Sequence, residues 1–111
     1  MVDEWTRLEF NAWSRDKLRK GIKTCTNRSK QPAAVGAKFR VNLGQHGKDD
    51  VRTYVILKRR HVELNVIATF WWRKEGAEDR DDYIQVHKDT HPNRSWDPKE
   101  KRWLTVFEEV K

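Results

Sequence analysis

The segment of residues 21–28, GIKTCTNR, marks an abrupt change from helical to extended structure. Gly21 follows a basic helical stretch, and glycine readily takes the positive φ that a residue just past a helix end often needs. The β-branched and hydroxyl-bearing residues after it favour a strand that closes with Arg28. A lysine, two threonines and an arginine in so short a stretch make it either an ordinary polar strand or a site for an anion or nucleotide.

The small apolar fraction limits the chain to one modest core. Of 111 residues, 36% are hydrophobic and 37% are charged, and six tryptophans supply much of the core volume. We therefore expect residues 1–111 to form a single domain. With 24 Lys and Arg against 17 Asp and Glu, the net charge of +7 favours a polyanionic partner, usually nucleic acid, although a solubilising charge is the alternative.

The single cysteine, Cys25, excludes an intramolecular disulfide and a zinc site built from cysteines. It suits a reducing compartment, and we expect a cytoplasmic protein. No apolar run approaches the ~18 residues of a transmembrane helix, and the polar N-terminus does not read as a signal peptide. No membrane partner is therefore expected.

Capping residues predict where helices begin. Asn11 is expected to cap a helix over residues 12–20, and Asp79 a later helix that ends before Pro92. A further helix, which Asn65 can cap, is expected to run through Glu75, although its β-branched content leaves a strand as an alternative. Its apolar face would consist of Val66, Ile67, Phe70 and Trp71.

Alternation of apolar and polar residues predicts the strands. These cover residues 4–10, 23–28, 39–43, 51–60 and 102–110, with a short extended piece at 62–64. The strand over 51–60 is apolar on both faces at its centre and should be an inner strand. Five or six strands and two or three helices predict an α+β fold, a small mixed β-barrel flanked by helices. A ferredoxin-like sandwich is the competing arrangement.

Lys23, Thr26 and Glu75 are candidates for a catalytic set. A threonine hydroxyl needs a nearby base to act as a nucleophile, and a buried lysine can serve because desolvation disfavours its charged form. A carboxylate can orient the amine or carry a proton to a leaving nitrogen. In a regular strand Lys23 and Thr26 point to opposite faces, so they converge only if Lys23 belongs to the turn after Gly21 or a bulge intervenes. Structural or surface roles are the alternative.

Two histidines, His87 and His91, lie four residues apart on a predicted helix and could present two imidazoles to a metal. No third ligand is evident, and surface or capping roles are expected instead. We therefore predict neither a metal nor another cofactor.

Several stretches resemble the ASCH family of domains. Residues 21–28 resemble its signature GxKTxTxR, and residues 35–39 resemble the turn and strand that follow it. Glu75-Gly76 resembles the family's later "EG" pair, with residues 82–84 in the helix after it, and residues 103–107 resemble its final strand. The resemblance runs from about residue 11 to residue 110. It implies a PUA-like fold, a small β-barrel flanked by helices, and a connection with RNA.

The resemblance is nearest to a small bacterial branch of amidohydrolases that remove the acetyl group of N4-acetylcytidine. The catalytic lysine, threonine and glutamate of that branch correspond here to Lys23, Thr26 and Glu75. Many ASCH domains carry glutamate at the position of Thr26, so threonine favours this branch. The tryptophan-rich segment before Glu75 and the more basic loops depart from it, and they suit RNA better than a free nucleoside.

These correspondences imply a hydrolase acting on N4-acetylcytidine or a similar acylated nucleoside. Lys23 would take the proton of Thr26, Thr26 would attack the acetyl carbonyl, and Glu75 would protonate the departing amine. Substrate contacts are expected from Thr24, Arg28, Trp71 and Trp72, with the tryptophans stacking on the pyrimidine.

The alternative function is binding of single-stranded RNA without turnover. The densest basic run, Lys58, Arg59 and Arg60, would then contact phosphates. A ribonuclease or a protein-interaction module is a third possibility.

Overall fold

One antiparallel sheet of four strands curls into a half-barrel and carries the rest of the chain. The structure is a computed structural model, and it describes residues 4–111. The strands are β1 (Cys25–Arg28), β2 (Lys38–Asn42), β3 (Val51–Glu63) and β4 (Lys101–Val110), in the spatial order β1-β4-β3-β2. β3 and β4 are therefore inner strands, and β1 and β2 are the edges. The predicted α+β class and the inner position of the strand over 51–60 are confirmed.

Helical segments precede the sheet and connect its two inner strands. α1 (Ala12–Arg19) lies before β1. Between β3 and β4 the chain forms α2 (Leu64–Val66), a π-helical turn (Ile67–Trp71) and α3 (Trp72–Glu75) in direct succession, and then α4 (Arg80–Thr90). The predicted caps of α1 and α4 are confirmed, since the side chains of Asn11 and Asp79 accept hydrogen bonds from backbone N–H groups in the first turns. Within residues 4–111, no helix has the length and apolar character needed to cross a membrane.

The prediction of five or six strands was too high. Residues 4–10 form only an isolated parallel bridge between Trp5 and Lys38, because their apolar positions do not keep the strict alternation that a strand needs. The extended piece predicted at 62–64 is the end of β3, which runs without interruption through Glu63. A register shift after Ile56 lets this long strand bend.

Two hydrophobic clusters pack against opposite faces of the sheet. The first contains the rings of Phe39, Tyr54 and Phe107, whose centroids lie 5.3–5.4 Å apart. The second is built around Leu104, which is three residues from Phe107 on β4 and so points to the other face. It joins the helices to the sheet through Cys25, Leu64, Ile67, Ala68, Ala77 and Tyr83.

The π-helical turn changes which side chains of its segment face the core. The prediction placed Ile67 and Phe70 on one apolar face, but a π turn contains an extra residue and rotates the positions that follow it. Ile67 and Ala68 are fully buried, whereas Phe70 is 74% exposed. The helix end at Glu75 is confirmed. The predicted position of Phe70 was wrong, and so was the cap at Asn65, which lies within α2 after Glu63.

A glycine turn ends α1 and leads directly into the segment before β1. Gly21 has a φ of +74°, its N–H donates to the carbonyl of Leu18 (3.0 Å), and the N–H of Ile22 donates to that of Lys17 (3.0 Å). This pair of hydrogen bonds is the Schellman motif, which satisfies the last carbonyls of a helix. The helix stop predicted at Gly21 is confirmed.

A second turn of the same kind ends α3. Gly76 has a φ of +106°, its N–H donates to the carbonyl of Arg73 (3.0 Å), and the N–H of Ala77 donates to that of Trp72 (3.0 Å). Two Schellman motifs therefore fix the directions in which the chain leaves α1 and α3.

The two glycine turns lie against each other. The N–H of Thr24 donates to the carbonyl of Lys74 at 2.7 Å. A Cβ placed on Gly76 would lie 3.0 Å from Cβ and Cγ of Lys17 and 3.5 Å from Cβ of Lys23. Gly76 is therefore required both by its backbone conformation and by the close approach of the segment after α1.

We expect Gly76→Ala to destabilise the fold more than Gly36→Ala. Both glycines have similar positive φ values, but a Cβ on Gly36 would meet nothing within 4 Å. Each variant carries backbone strain of about 1–3 kcal/mol, and only Gly76→Ala adds a steric conflict with Lys17. Urea unfolding followed by circular dichroism measures the difference. Equal losses of unfolding free energy in the two variants would show that a Cβ on Gly76 makes no steric conflict with Lys17.

Candidate active site

A buried ion pair joins the two glycine turns. The Lys23 ammonium donates to Oε1 of Glu75 at 2.9 Å and to the Glu75 carbonyl at 2.8 Å. Each residue is only 4% exposed. Glu75 is the last residue of α3, and Lys23 lies in the segment between α1 and β1, so both turns are needed to form the pair.

The second carboxylate oxygen of Glu75 is also held. Oε2 accepts a hydrogen bond from Nδ2 of Asn27 at 2.6 Å, and the same amide donates to the Tyr83 hydroxyl at 3.0 Å. Oδ1 of Asn27 accepts from Nε of Arg102 at 2.5 Å. Burial, reinforced by the nearby Glu75 carboxylate, raises the pKa of Tyr83, so its phenol stays neutral. The carboxylate is thus fixed in one orientation by lysine and amide donors.

Thr26 is buried beside the guanidinium of Arg28. Its Oγ1 accepts a hydrogen bond from Nη1 of Arg28 at 2.9 Å, and Thr26 is 3% exposed. Arg28 also donates to the carbonyls of Glu9 and Asn27. Burial lowers the pKa of Arg28, and the Glu75 carboxylate opposes that shift. Because Oγ1 acts as an acceptor toward Arg28, its own proton is free to be donated elsewhere.

Lys23, Thr26 and Glu75 line the same cavity, of about 230 Å³. Lys23 precedes β1, which begins at Cys25, so the alternation of a regular strand does not apply to the offset between Lys23 and Thr26. β1 is also an edge strand. Consecutive side chains from its two faces, such as Thr26 and Asn27, therefore reach one space beside its free edge.

Other parts of the cavity wall come from residues around the start of α1 and along α4. Trp13 lies in its wall, with its ring centre 5.9 Å from the Lys23 ammonium. The remaining lining side chains from these two regions are Phe10, Asn11, Ser14, Tyr83, Val86, His87, Thr90 and His91. An indole and a set of hydrogen-bonding groups thus surround the three candidate catalytic residues.

Trp71 and Trp72 do not line this cavity. Both are half-buried and pack against the second hydrophobic cluster, so the predicted stacking of a pyrimidine on them does not fit the geometry. Trp13 is the tryptophan that could stack on a base there. Thr24 also lies outside the cavity lining, and its backbone links Lys74 to β4.

The basic run of β3 lies apart from the cavity. Lys58 and Arg60 are exposed, and Arg59 donates a hydrogen bond to the carbonyl of Pro32 at 3.0 Å. None of the three lines the cavity. A role in contacting RNA phosphates stays a prediction for this run.

Sequence reasoning missed Asn27, Tyr83, Arg102 and Trp13. Asn27 occupies a variable position of the GxKTxTxR pattern, so nothing marked it. Arg102 carried only a weak signal as a cation at the start of the strand predicted over 102–110, and its burial, at 5% exposed, is visible only in the structure. A buried cation in such a strand needs acceptors nearby, and the structure supplies Asn27 and Glu100.

The two histidines lie side by side in the lining of the cavity. The ring centroids of His87 and His91 lie 4.4 Å apart, and Nδ1 of His91 lies 3.0 Å from the carbonyl of His87. Burial, with smaller effects from His91 and Arg102, lowers the pKa of His87 to about 4. Over residues 4–111 no three His, Cys, Asp or Glu side chains are grouped so as to hold a metal, so the pair lacks a third ligand there.

Comparison with known proteins defines the fold and leaves the activity open. No family model matches the sequence, and no curated protein matches it. An ASCH domain from Lactobacillus crispatus JV V101 superposes with a TM-score of 0.68 at 11% identity, over 96% of this chain and 78% of that one. A protein from Enterococcus faecalis V583, described under the family name DUF984, gives a TM-score of 0.64 at 19% identity, over 99% and 77%. The chain therefore has a PUA-like fold of the ASCH type, and the fold implied by the sequence resemblance is confirmed.

We expect Lys23→Met to lower the free energy of unfolding by about 3–5 kcal/mol, because it leaves the Glu75 carboxylate buried without its cation. The double variant Lys23→Met/Glu75→Leu should recover most of the loss. Lys20→Met is the matched control. It removes an exposed pair with Asp16 and should change stability by less than about 1 kcal/mol. Urea titrations measure all three, and a Lys23→Met loss no larger than that of Lys20→Met would contradict the burial argument.

His87 should make the fold less stable in mild acid. The unfolded chain protonates this histidine near pH 6.5, whereas the folded protein does so only near pH 4. Stability is therefore lost as the pH falls from about 6.5 to 4, by about 1–3 kcal/mol. His87→Gln should flatten the unfolding free energy across this window, and His46→Asn, at an exposed loop position, should not. Equal slopes for wild type and His87→Gln would refute the expectation.

Proposed function

We propose that this protein is an amidohydrolase that removes the acyl group from the exocyclic amine of N4-acetylcytidine or a similarly acylated nucleoside. One observation carries the proposal: Lys23, Thr26 and Glu75 are buried polar residues that line one cavity. The same three positions were singled out by the sequence resemblance to amidohydrolases of the ASCH family.

The cavity suits a single acylated base. At about 230 Å³, it is smaller than the ~300–1,000 Å³ typical of sites that enclose drug-sized ligands. Trp13 offers an aromatic surface on one wall, and stacking of a base on such a ring contributes about 1–3 kcal/mol. The ribose would then lie toward the cavity mouth.

The Lys23–Glu75 pair can generate the base that Thr26 requires. Transfer of one proton from Nζ to Oε1, across 2.9 Å, leaves a neutral amine and a protonated carboxyl group. The amine takes the proton of Thr26 as Oγ1 bonds to the acyl carbon. Arg28, whose Nη1 already lies 2.9 Å from Oγ1, would place a positive charge near the acyl oxygen, which becomes negative as Oγ1 attacks.

The same pair completes the cycle. Glu75 gives its proton to the exocyclic nitrogen as the C–N bond breaks, which releases cytidine and leaves an ester on Thr26. Water attacks this ester while Glu75 takes the proton of the water, and Lys23 returns a proton to Oγ1 as acetic acid departs. Proton transfer from Glu75 to Lys23 restores the starting ion pair, so the net reaction is addition of water across the amide.

Asn27 and Tyr83 support this chemistry as positioning residues. The hydrogen bond from Asn27 to Oε2 leaves Oε1 directed at Lys23. Such fixed geometry favours proton transfer because little reorganisation is needed at the moment of reaction.

Chromatography of N4-acetylcytidine incubated with the protein tests the proposal. We expect cytidine and acetate to form, and we expect Lys23→Ala, Thr26→Ala and Glu75→Ala each to slow the reaction by about 100-fold or more. Thr69→Ala is the matched control, since Thr69 is exposed and does not line the cavity. Circular dichroism shows whether each variant is folded.

Two results would overturn the proposal. One is the absence of cytidine at high enzyme concentration with N4-acetylcytidine and related acylated nucleosides. The other is a folded Thr26→Ala variant that keeps the wild-type rate, which would exclude Thr26 as the nucleophile.

A further inference from the structure

A second concavity opens beside the cavity. It has a volume of about 480 Å³ and is formed mainly by residues 6–9 and 28–33. We call it the side groove. Four residues, Glu9, Arg28, His91 and Arg102, line both the cavity and the side groove. The two spaces therefore meet along a common rim, and a ligand with its base in the cavity could continue into the side groove.

The side groove is positively charged. Its lining includes the cations Arg7, Arg28, Lys30 and Arg102 and one carboxylate, Glu9. The Glu9 carboxylate is paired with Arg7 at 3.2 Å, which weakens its repulsion of an anion. The field along the groove therefore favours a negatively charged ligand.

Arg102 holds its guanidinium in a fixed orientation at the rim between the two spaces. It is only 5% exposed, and its orientation is fixed because Nε donates to Asn27 and Nη1 donates to Glu100. Its Nη2 makes no hydrogen bond to residues 4–111. Nη2 is not among the fully buried polar atoms of those residues that lack a partner, so it keeps some accessible surface, and Arg102 lines both the cavity and the side groove. An oriented guanidinium with free N–H groups is a strong donor to phosphate.

We propose, building on the proposed function, that the natural substrate is an acylated cytidine that carries a phosphate, bound at the rim by Arg102 and followed into the side groove by Lys30 and Arg7. The phosphate belongs either to a mononucleotide or to a single RNA strand. With the base in the cavity and the ribose at its mouth, the first anionic group of the ligand falls at this rim. A neutral nucleoside would leave Nη2 of Arg102 unpaired.

Comparison of substrates tests the proposal. The substrates are N4-acetylcytidine, its 5′- and 3′-monophosphates, and a short single-stranded RNA with one N4-acetylcytidine. We expect kcat/KM to rise by about tenfold or more when a phosphate is present, the size of one charge-assisted hydrogen bond. A gain with a monophosphate indicates a nucleotide substrate, and a further gain with the oligonucleotide indicates RNA. Equal kcat/KM for all four would overturn this proposal while leaving the amidohydrolase function intact.

Charge variants in the side groove provide a second test. Arg7→Gln/Lys30→Gln should reduce the ratio of kcat/KM for RNA to that for the nucleoside by about fivefold or more, and should lower the salt dependence of the RNA reaction. Lys48→Gln/Lys99→Gln removes the same charge from exposed positions outside both spaces and should leave the ratio unchanged. If the two double variants lowered this ratio equally, the effect would come from the net charge of the protein and not from the side groove. That result would overturn the proposal.

A binding measurement tests the phosphate site independently of the hydrolase activity. If no acylated substrate is turned over, the fluorescence of Trp13 and its neighbours can report binding of cytidine, cytidine 5′-monophosphate and a short unmodified RNA. Binding at least tenfold tighter with phosphate, weakened by Arg7→Gln/Lys30→Gln, would support the phosphate site in a protein that binds RNA without turnover. Equal binding of cytidine and its monophosphate would overturn it.

Discussion

The buried contact between Lys23 and Glu75 is the interaction on which the site depends. Removing two charges from water is expensive, and a buried pair often contributes less to stability than an apolar pair of the same volume. Here both carboxylate oxygens of Glu75 have hydrogen-bond partners. Lys23 donates to one of them and to the Glu75 carbonyl, and Asn27 donates to the other. In the proposed mechanism Lys23 and Glu75, whose Nζ and Oε1 lie 2.9 Å apart, supply a base and an acid in one cycle.

The geometry of the pair is set by backbone conformations that only glycine adopts without strain. Gly21 and Gly76 end two helices with the same hydrogen-bonding pattern, and a Cβ on Gly76 would lie only 3.0 Å from side-chain carbons of Lys17. The edge position of β1 then decides which side chains meet beside the ion pair. Because no strand covers its outer edge in residues 4–111, Thr26 and Asn27 can face one cavity although they belong to opposite faces of the sheet.

The groups that line the cavity divide into neutral and charged ones. Burial keeps Tyr83 and His87 neutral by raising the pKa of the first and lowering that of the second. The charged groups that remain are therefore few and specific, with the ion pair at the base of the cavity and the guanidiniums of Arg28 and Arg102 toward the side groove. In the proposed mechanism, this separation puts the proton transfers at the ion pair and the binding of a phosphate at the two guanidiniums.

The sequence alone determined the features that depend on residues within one turn of each other, which are the caps at Asn11 and Asp79 and the helix stop at Gly21. The ASCH-type fold was indicated by resemblance to motifs spread along the chain. The sequence also indicated the candidate trio, through resemblance to a short motif. Only the tertiary structure decided that Trp13, and not Trp71, faces the cavity, that Asn27 orients Glu75, and that Arg102 stands at the rim of a second space. The physical reason is that local backbone preferences are written in neighbouring residues, whereas the meeting of groups 52 and 75 residues apart depends on strand register, helix packing and a π-helical turn that no local pattern revealed.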